Sequence, residues 1–203
     1  VGEGRCLVVF NPLAWERTDV VRVSLANLGG IVPSIMVDDE GRHLPVQQVG
    51  EDILFVAREV PSLGVRVYRP VLQRLTPNDA DAIQVNYEQN GLQNRFLGLR
   101  VHPASGALDE LLDFEASRNL AGPWAGAMAE RKINAGGLNR LQIIWEQPHP
   151  MSAWNLGDTT RTDDLITGAQ VSVVESGPVR GVVEVRRQFL HSSLVQHIIL
   201  YRE

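Results

Sequence analysis

The sequence predicts an all-β chain that opens with a small β-sandwich. Two observations predict it. Short β-prone runs recur along the 203 residues, each ended by a cluster of Gly, Pro, Asn, Asp or Ser. The stretch Gly168–Glu203 also reads as a three-stranded meander. Two β-prone runs flank Ser176-Gly177-Pro178, and a third follows Leu190-His191-Ser192-Ser193. That third run, Val195–Tyr201, is apolar on both faces, which calls for cover on both sides. Only Arg202 and Glu203 follow it. The expectation is a piece of a larger protein.

The elements follow in order. Leu7–Phe10 is a short apolar run ended by Asn11-Pro12. Val21, Val23 and Leu25 alternate with Arg22 and Ser24, the period of a half-buried strand. Ile35–Val37 leads into Asp38-Asp39-Glu40-Gly41, where glycine permits positive φ, and His43–Val49 can return as the second arm. Ile53–Ala57 and Val65–Tyr68 flank a turn at Pro61-Ser62-Leu63-Gly64. Five or six short strands in about seventy residues match a small sandwich. The polar run Gln73–Ala82 is the expected boundary, dividing the chain into residues 1–75 and 76–203.

Strands resume at Ile83–Tyr87 and at Phe96, Leu97, Leu99 and Val101, ending at His102-Pro103-Ala104-Ser105-Gly106. The next segment, Ala107–Arg118, is ambiguous. Leu108, Leu111 and Leu112 have helical spacing, and Leu108-Asp109-Glu110-Leu111 can equally continue a hairpin from Ser105-Gly106. Arg118–Ala135 reads as a long loop, Leu141–Trp145 as a strand, and Gln147–Asp164 as a second long loop.

Composition narrows the function classes. At 44% hydrophobic residues the chain can build a core, and a net charge of −5 offers no polyanion-binding face. Lys132 is the only lysine among 19 basic residues, and the arginines are scattered, which reads as codon bias rather than a patch. A single cysteine, Cys6, excludes an internal disulfide framework. No run approaches the ~20 apolar residues of a membrane span. No signal peptide is visible, and the expected location is cytoplasmic. Neither nucleic acid nor membrane is an expected partner.

Motifs for chemistry are sparse. His43, His102, His149, His191 and His197 stand far apart, without metal-ligand spacing. There is no Gly-x-Ser-x-Gly and no P-loop. Asp38/Asp39 and Asp79/Asp81 sit in turns, where Asp bonds its own backbone. The segment Trp145–Asp158 is more suggestive. Tryptophans can stack on sugar rings while amides and carboxylates bond hydroxyls, so Trp145, Trp154, Asn155 and Asp158 are the substrate-groove candidates. Both tryptophans can equally be core anchors. His149 with Glu146 is the one neighbouring acid–base pair, as a mutarotase-like epimerase would need.

Phe10-Asn11-Pro12-Leu13-Ala14-Trp15, then Arg17-Thr18-Asp19-Val20-Val21, resembles the opening of the β-region in glycoside hydrolase family 38, the α-mannosidases. Pro61-Ser62-Leu63-Gly64, Asn94-Arg95-Phe96 and Pro103-Ala104-Ser105-Gly106-Ala107-Leu108 follow in the family's order. So do Gly137-Leu138-Asn139-Arg140-Leu141, Ala153-Trp154-Asn155 and Glu175-Ser176-Gly177-Pro178-Val179-Arg180. Ser152 stands where an acidic residue is expected, and Glu146 where Asp is commoner.

The resemblance implies more than the residues do. It implies a small β-sandwich followed by part of a large galactose-mutarotase-like supersandwich, with Ala107–Leu112 as a strand after a tight turn. It implies a parent that cleaves α-mannosides with retention, using an Asp nucleophile and a zinc held by His and Asp in an N-terminal catalytic domain. No motif here matches those residues, so no catalytic residue, metal ligand or cofactor is expected in this chain. The implied partners are the parent's catalytic domain and an α-mannoside. The open terminal strand adds expected self-association. A free-standing carbohydrate-binding module is the rival reading.

Overall fold

The computed structural model describes residues 6–72, 82–121, 137–151 and 154–202. Most of the expected boundary at 73–82 and most of the loop expected at 118–135 lie outside them. Among the described residues the chain is strands and turns with no α-helix. In order the strands are β1 (Leu7–Phe10), β2 (Arg17–Ser24), β3 (Ile35–Asp38), β4 (His43–Pro45), β5 (Gln47–Val49), β6 (Asp52–Val60) and β7 (Val65–Val71). Then come β8 (Gln84–Asn86), β9 (Gly91–Gln93), β10 (Leu97–Val101), β11 (Leu108–Asp113), β12 (Arg118–Asn119), β13 (Gln142–Glu146) and β14 (Thr159–Asp164). The meander is β15 (Ala169–Ser176), β16 (Arg180–Phe189) and β17 (Ser192–Tyr201).

The contacts divide the chain into two units. One is Val1–Ile83 with Ser176–Gly181 and Leu200–Glu203, and the other is Gln84–Glu175 with Val182–Ile199.

The first unit is a sandwich of two antiparallel sheets, ordered β1-β7-β3-β4 and β2-β6-β5. Its core draws Met36, Leu44 and Tyr68 from one sheet and Val23, Ile53, Phe55 and Ala57 from the other. The Phe55 and Tyr68 rings meet across the core at 4.9 Å and 59°, a tilted pair worth about 1 kcal/mol beyond its buried area. The Tyr68 hydroxyl is buried without a hydrogen bond among the described residues, and burial pushes its pKa up to about 12.

Two expectations need correction here. Leu25 does not extend the strand. The Ser24 hydroxyl accepts from the Ala26 amide at 3.3 Å and starts a 3₁₀ turn over Leu25–Leu28. Leu25 and Leu28 enter the core, and Gly29, at φ +73°, ends the turn. His43–Val49 is also not one arm. β4 pairs with β3, whereas β5 pairs with β6 in the opposite sheet. Pro45, with no N–H, ends the first ladder, and Val46 packs into the core as the chain crosses.

The uninterrupted apolar run Ile53–Ala57 is explained by cover on both sides. Ile53, Phe55 and Ala57 face the main core, while Leu54 and Val56 pack under Val179. The Gln47 side-chain oxygen accepts from the Val179 and Arg180 amides at 3.1 and 2.9 Å. A Cβ on Gly177 would stand 2.3 Å from the Gln47 amide carbon, so only glycine fits. The segment Ser176–Arg180 thus packs within the first unit. Asn11, in the opening motif, is buried as well. Its amide donates to the carbonyls of Trp15, Val60 and Pro61, and its oxygen accepts from the Leu13 amide.

The second unit holds a five-stranded sheet, ordered β12-β11-β10-β9-β8, and the β13-β14 hairpin. The ambiguous segment is a strand: β11 pairs antiparallel with β10, and Arg100 meets Asp109 across the ladder at 3.0 Å. Gly106 turns the chain at φ +63°, and a Cβ there would stand 2.4 Å from the Val185 side chain. Buried Arg187 donates to the Ser105 and Thr167 carbonyls at 2.6 and 2.5 Å, tying this turn to β16. The meander forms as expected, with the sheet order β15-β16-β17. Connections this short allow only antiparallel neighbours.

Candidate functional site

The last third of the expected loop Gln147–Asp164 is strand. This part, Thr159–Asp164, is β14, paired antiparallel with β13. The run Thr-Thr-Arg-Thr-Asp-Asp has no apolar alternation to announce a strand. Side chains hold it instead: Gln142 donates to Asp164 at 2.6 Å, and the Trp145 indole N–H donates to Asp163 at 2.8 Å. The Arg161 guanidinium lies over the Trp145 ring, 4.8 Å from its centre. Trp145 is therefore engaged from its edge and from its face by the hairpin itself.

The other three candidates project from the shortened loop between β13 and β14. The amides of Trp154 and Asn155 both donate to the Met151 carbonyl, at 2.8 and 2.9 Å, forming a tight turn at the tip. Trp154 is 83% exposed. Asn155 and Asp158 are also exposed. The Asp158 carbonyl accepts from the Gln147 amide at 3.0 Å, joining the two limbs of the loop. Ser152 and Ala153 lie outside the described residues.

Glu146 closes the base. Its carboxylate accepts from the Gly157 amide at 2.7 Å and meets His149 Nε2 at 3.3 Å. The Met151 amide donates to His149 Nδ1 at 3.3 Å, leaving Nε2 to face Glu146. The Gly157 amide, followed by the His149 ring, holds the Glu146 carboxyl below its usual range. A Cβ on Gly157 would stand 2.5 Å from the His149 ring. The acid–base pair noted in the sequence is thus real in space, and its contacts shape the loop. Gly157 reads in the sequence as a loop residue, whereas β14 did not stand out there. The Gly157-Asp158 pair is a turn signal that could have located the loop's second limb.

The resulting arrangement is an exposed aromatic side chain, an amide and a carboxylate on a loop braced at its base. This is chemistry that can meet a sugar. The glycosyl hydrolases family 38 C-terminal domain matches residues 92–203. The chain belongs to glycoside hydrolase family 38. The family match includes the motifs at 94–108, 137–141, 153–155 and 175–180, while those at 10–21 and 61–68 precede it. No curated protein matches the chain. Among the described residues, no three His, Cys, Asp or Glu side chains stand together to hold a metal.

Proposed function

We propose that this chain is a non-catalytic β-region of a retaining α-mannosidase and that it buttresses the parent's catalytic domain. Family membership supports the glycosidase part of the reading. The observation that carries the buttress is the outer face of the first sandwich. Leu7 and Val9 of β1 pack on the core, so Val8 and Phe10 point outward. Val8 pairs with Val67 and Phe10 with Val65, and directly paired residues share a face. The result is an apolar stripe on a surface strand pair, with Val8, Phe10 and Val65 each more than half exposed. Exposed apolar surface of this kind marks a packing interface.

In the parent, one carboxylate would displace the aglycone and a second carboxyl would act as acid and then base. This chain would contribute a wall, and the loop bearing Trp154, Asn155 and Asp158 is its candidate for lining the sugar groove. The test has two arms. The purified chain, supplied with zinc and an aryl α-mannoside, is expected to show no turnover, and turnover would overturn the reading. The parent enzyme carrying Phe10→Asp is expected to lose thermal stability while the chain alone does not.

A second reading, a carbohydrate-binding module, is favoured by the exposure of Trp154. Titration with mannobiose under tryptophan fluorescence separates the two: a module gives a saturable change and a buttress gives none.

A further inference from the structure

The five-stranded sheet of the second unit has one apolar face and one polar face, and register decides which residues belong to each. Gln84 pairs with Gln93, and Gln93 with Gly98. Asn86 pairs with Gly91, and Gly91 with Arg100. On the next ladder Arg100 pairs with Glu110, and Gly98 with Leu112. Directly paired residues share a face, so Gln84, Asn86, Gln93, Arg100 and Glu110 stand together. The alternating positions Leu92, Leu99 and Val101 point the other way and are buried. Gly91 carries no side chain among the polar residues, while Leu112 shares their face and the Phe114 ring lies against Gly98. A hollow of about 590 Å³ forms over this face. That volume falls within the range of small-molecule sites.

The groups around this hollow offer both donors and acceptors. The amides of Gln84 and Gln93 are neighbours across the ladder, and neither has a protein partner among the described residues. The Asn86 amide donates to the Gln89 side chain at 3.2 Å. Arg100 is neutralised by Asp109 at 3.0 Å and Glu110 at 3.9 Å. Tyr87, 64% exposed, lines the rim. A phosphate would find its one guanidinium already facing two carboxylates. A neutral polyol fits better: each hydroxyl both donates and accepts, as a side-chain amide does, and the apolar face of a sugar ring packs on an aromatic ring.

We propose that this hollow is a binding site for a neutral oligosaccharide, built from residues other than those of the Trp154 loop. The site rests on the sheet's own register and chemistry and stands whether or not the parent is a mannosidase. The test is an NMR titration of the isotope-labelled chain with mannotriose, cellotriose and maltotriose in turn. At least one sugar is expected to shift the side-chain amide signals of Gln84 and Gln93 saturably. The double substitution Gln84→Ala with Gln93→Ala, at exposed positions, is expected to weaken binding roughly tenfold or more. Tyr87→Ala, outside any strand, is expected to weaken it as well. The proposal is overturned if none of the three sugars gives a saturable shift up to about 10 mM, near the weak end of measurable affinity. It is also overturned if the double variant binds as tightly as the parent chain, or if the shifts centre on Trp154. Turnover of an aryl mannoside is a separate readout and does not bear on it.

Discussion

The turn at Asp38 and the loop at Glu146 use the same device at different depths. In each, one carboxylate accepts backbone N–H groups and a side-chain donor. Asp38 accepts from the Glu40 and Arg42 amides at 3.0 and 2.8 Å and from the Arg42 Nε at 2.6 Å. Its side chain is fully buried, whereas that of Glu146 is 22% exposed. Burial alone would raise the Asp38 pKa, but the hydrogen bonds and charge of Arg42 bring it below the usual value. Arg42 in turn bonds Glu59, so the buried charge belongs to a network. Glu146 has one amide and one histidine, and water reaches it. The buried version fixes a hairpin, and the exposed version braces a loop that remains open to a ligand.

Asp38→Ala tests the buried side and has the largest expected effect. It removes the carboxylate and leaves Arg42 without its inner partner, a loss of about 3 kcal/mol in chemical denaturation. A loss below about 1 kcal/mol would place Asp38 with exposed pairs and erase the contrast.

Acid should separate the two sites next. Each carboxyl has a folded pKa below its unfolded value, so its contribution is complete above the unfolded value and is lost as pH falls through the folded one. The usual values are 4.5 for Glu146 and 3.8 for Asp38. Stability should therefore hold at neutral pH and decline only in acid, with the loop's share beginning to fall first. Trp154 fluorescence anisotropy and far-UV circular dichroism, followed together from pH 7 downward, check the order. Simultaneous transitions would count against it.

Gly157→Ala sharpens the comparison from the exposed side. The new Cβ displaces the His149 ring, which is the far end of a side chain and can swing outward once it leaves Glu146 and the Met151 amide. The expected outcome is a loosened Trp154 with a melting temperature changed by no more than about 2 °C. A cooperative loss of the whole unit would show that the loop is structural. Tyr68→Phe is the smallest effect. Removing a buried hydroxyl that has no partner should leave stability unchanged or raise it by up to about 1 kcal/mol. Destabilisation would reveal an unrecognised partner.

The edge of the meander offers a last check on openness. Val195 and Ile199 of β17 are exposed, and β17 is an outer strand of its sheet. The chain should associate as its concentration rises, and Val195→Lys should suppress this in sedimentation velocity runs.

Much of this architecture was legible because alternation and turn chemistry are local. Leu7–Phe10, Ile35–Val37, the Asp38–Gly41 turn and the meander all appear where their residues place them. The strands that escaped notice lack that signal. β9 has three residues and β14 is wholly polar, so each is a strand only because a neighbouring strand supplies its hydrogen bonds. The candidate loop was legible by composition, since Trp154, Asn155 and Asp158 share it. That Trp145 would be held by Asp163 and Arg161 was not, because the pairing partner β14 was unseen.

The sequence by itself determined the all-β character, the turns and the family, because each depends on residues near one another in the chain. Tertiary structure alone decided that β4 and β5 lie in opposite sheets, that Gly177 packs on Gln47, and that a hollow forms beside the amides of Gln84 and Gln93. Those outcomes depend on register between distant strands. A shift of one residue would turn every one of those side chains to the other face.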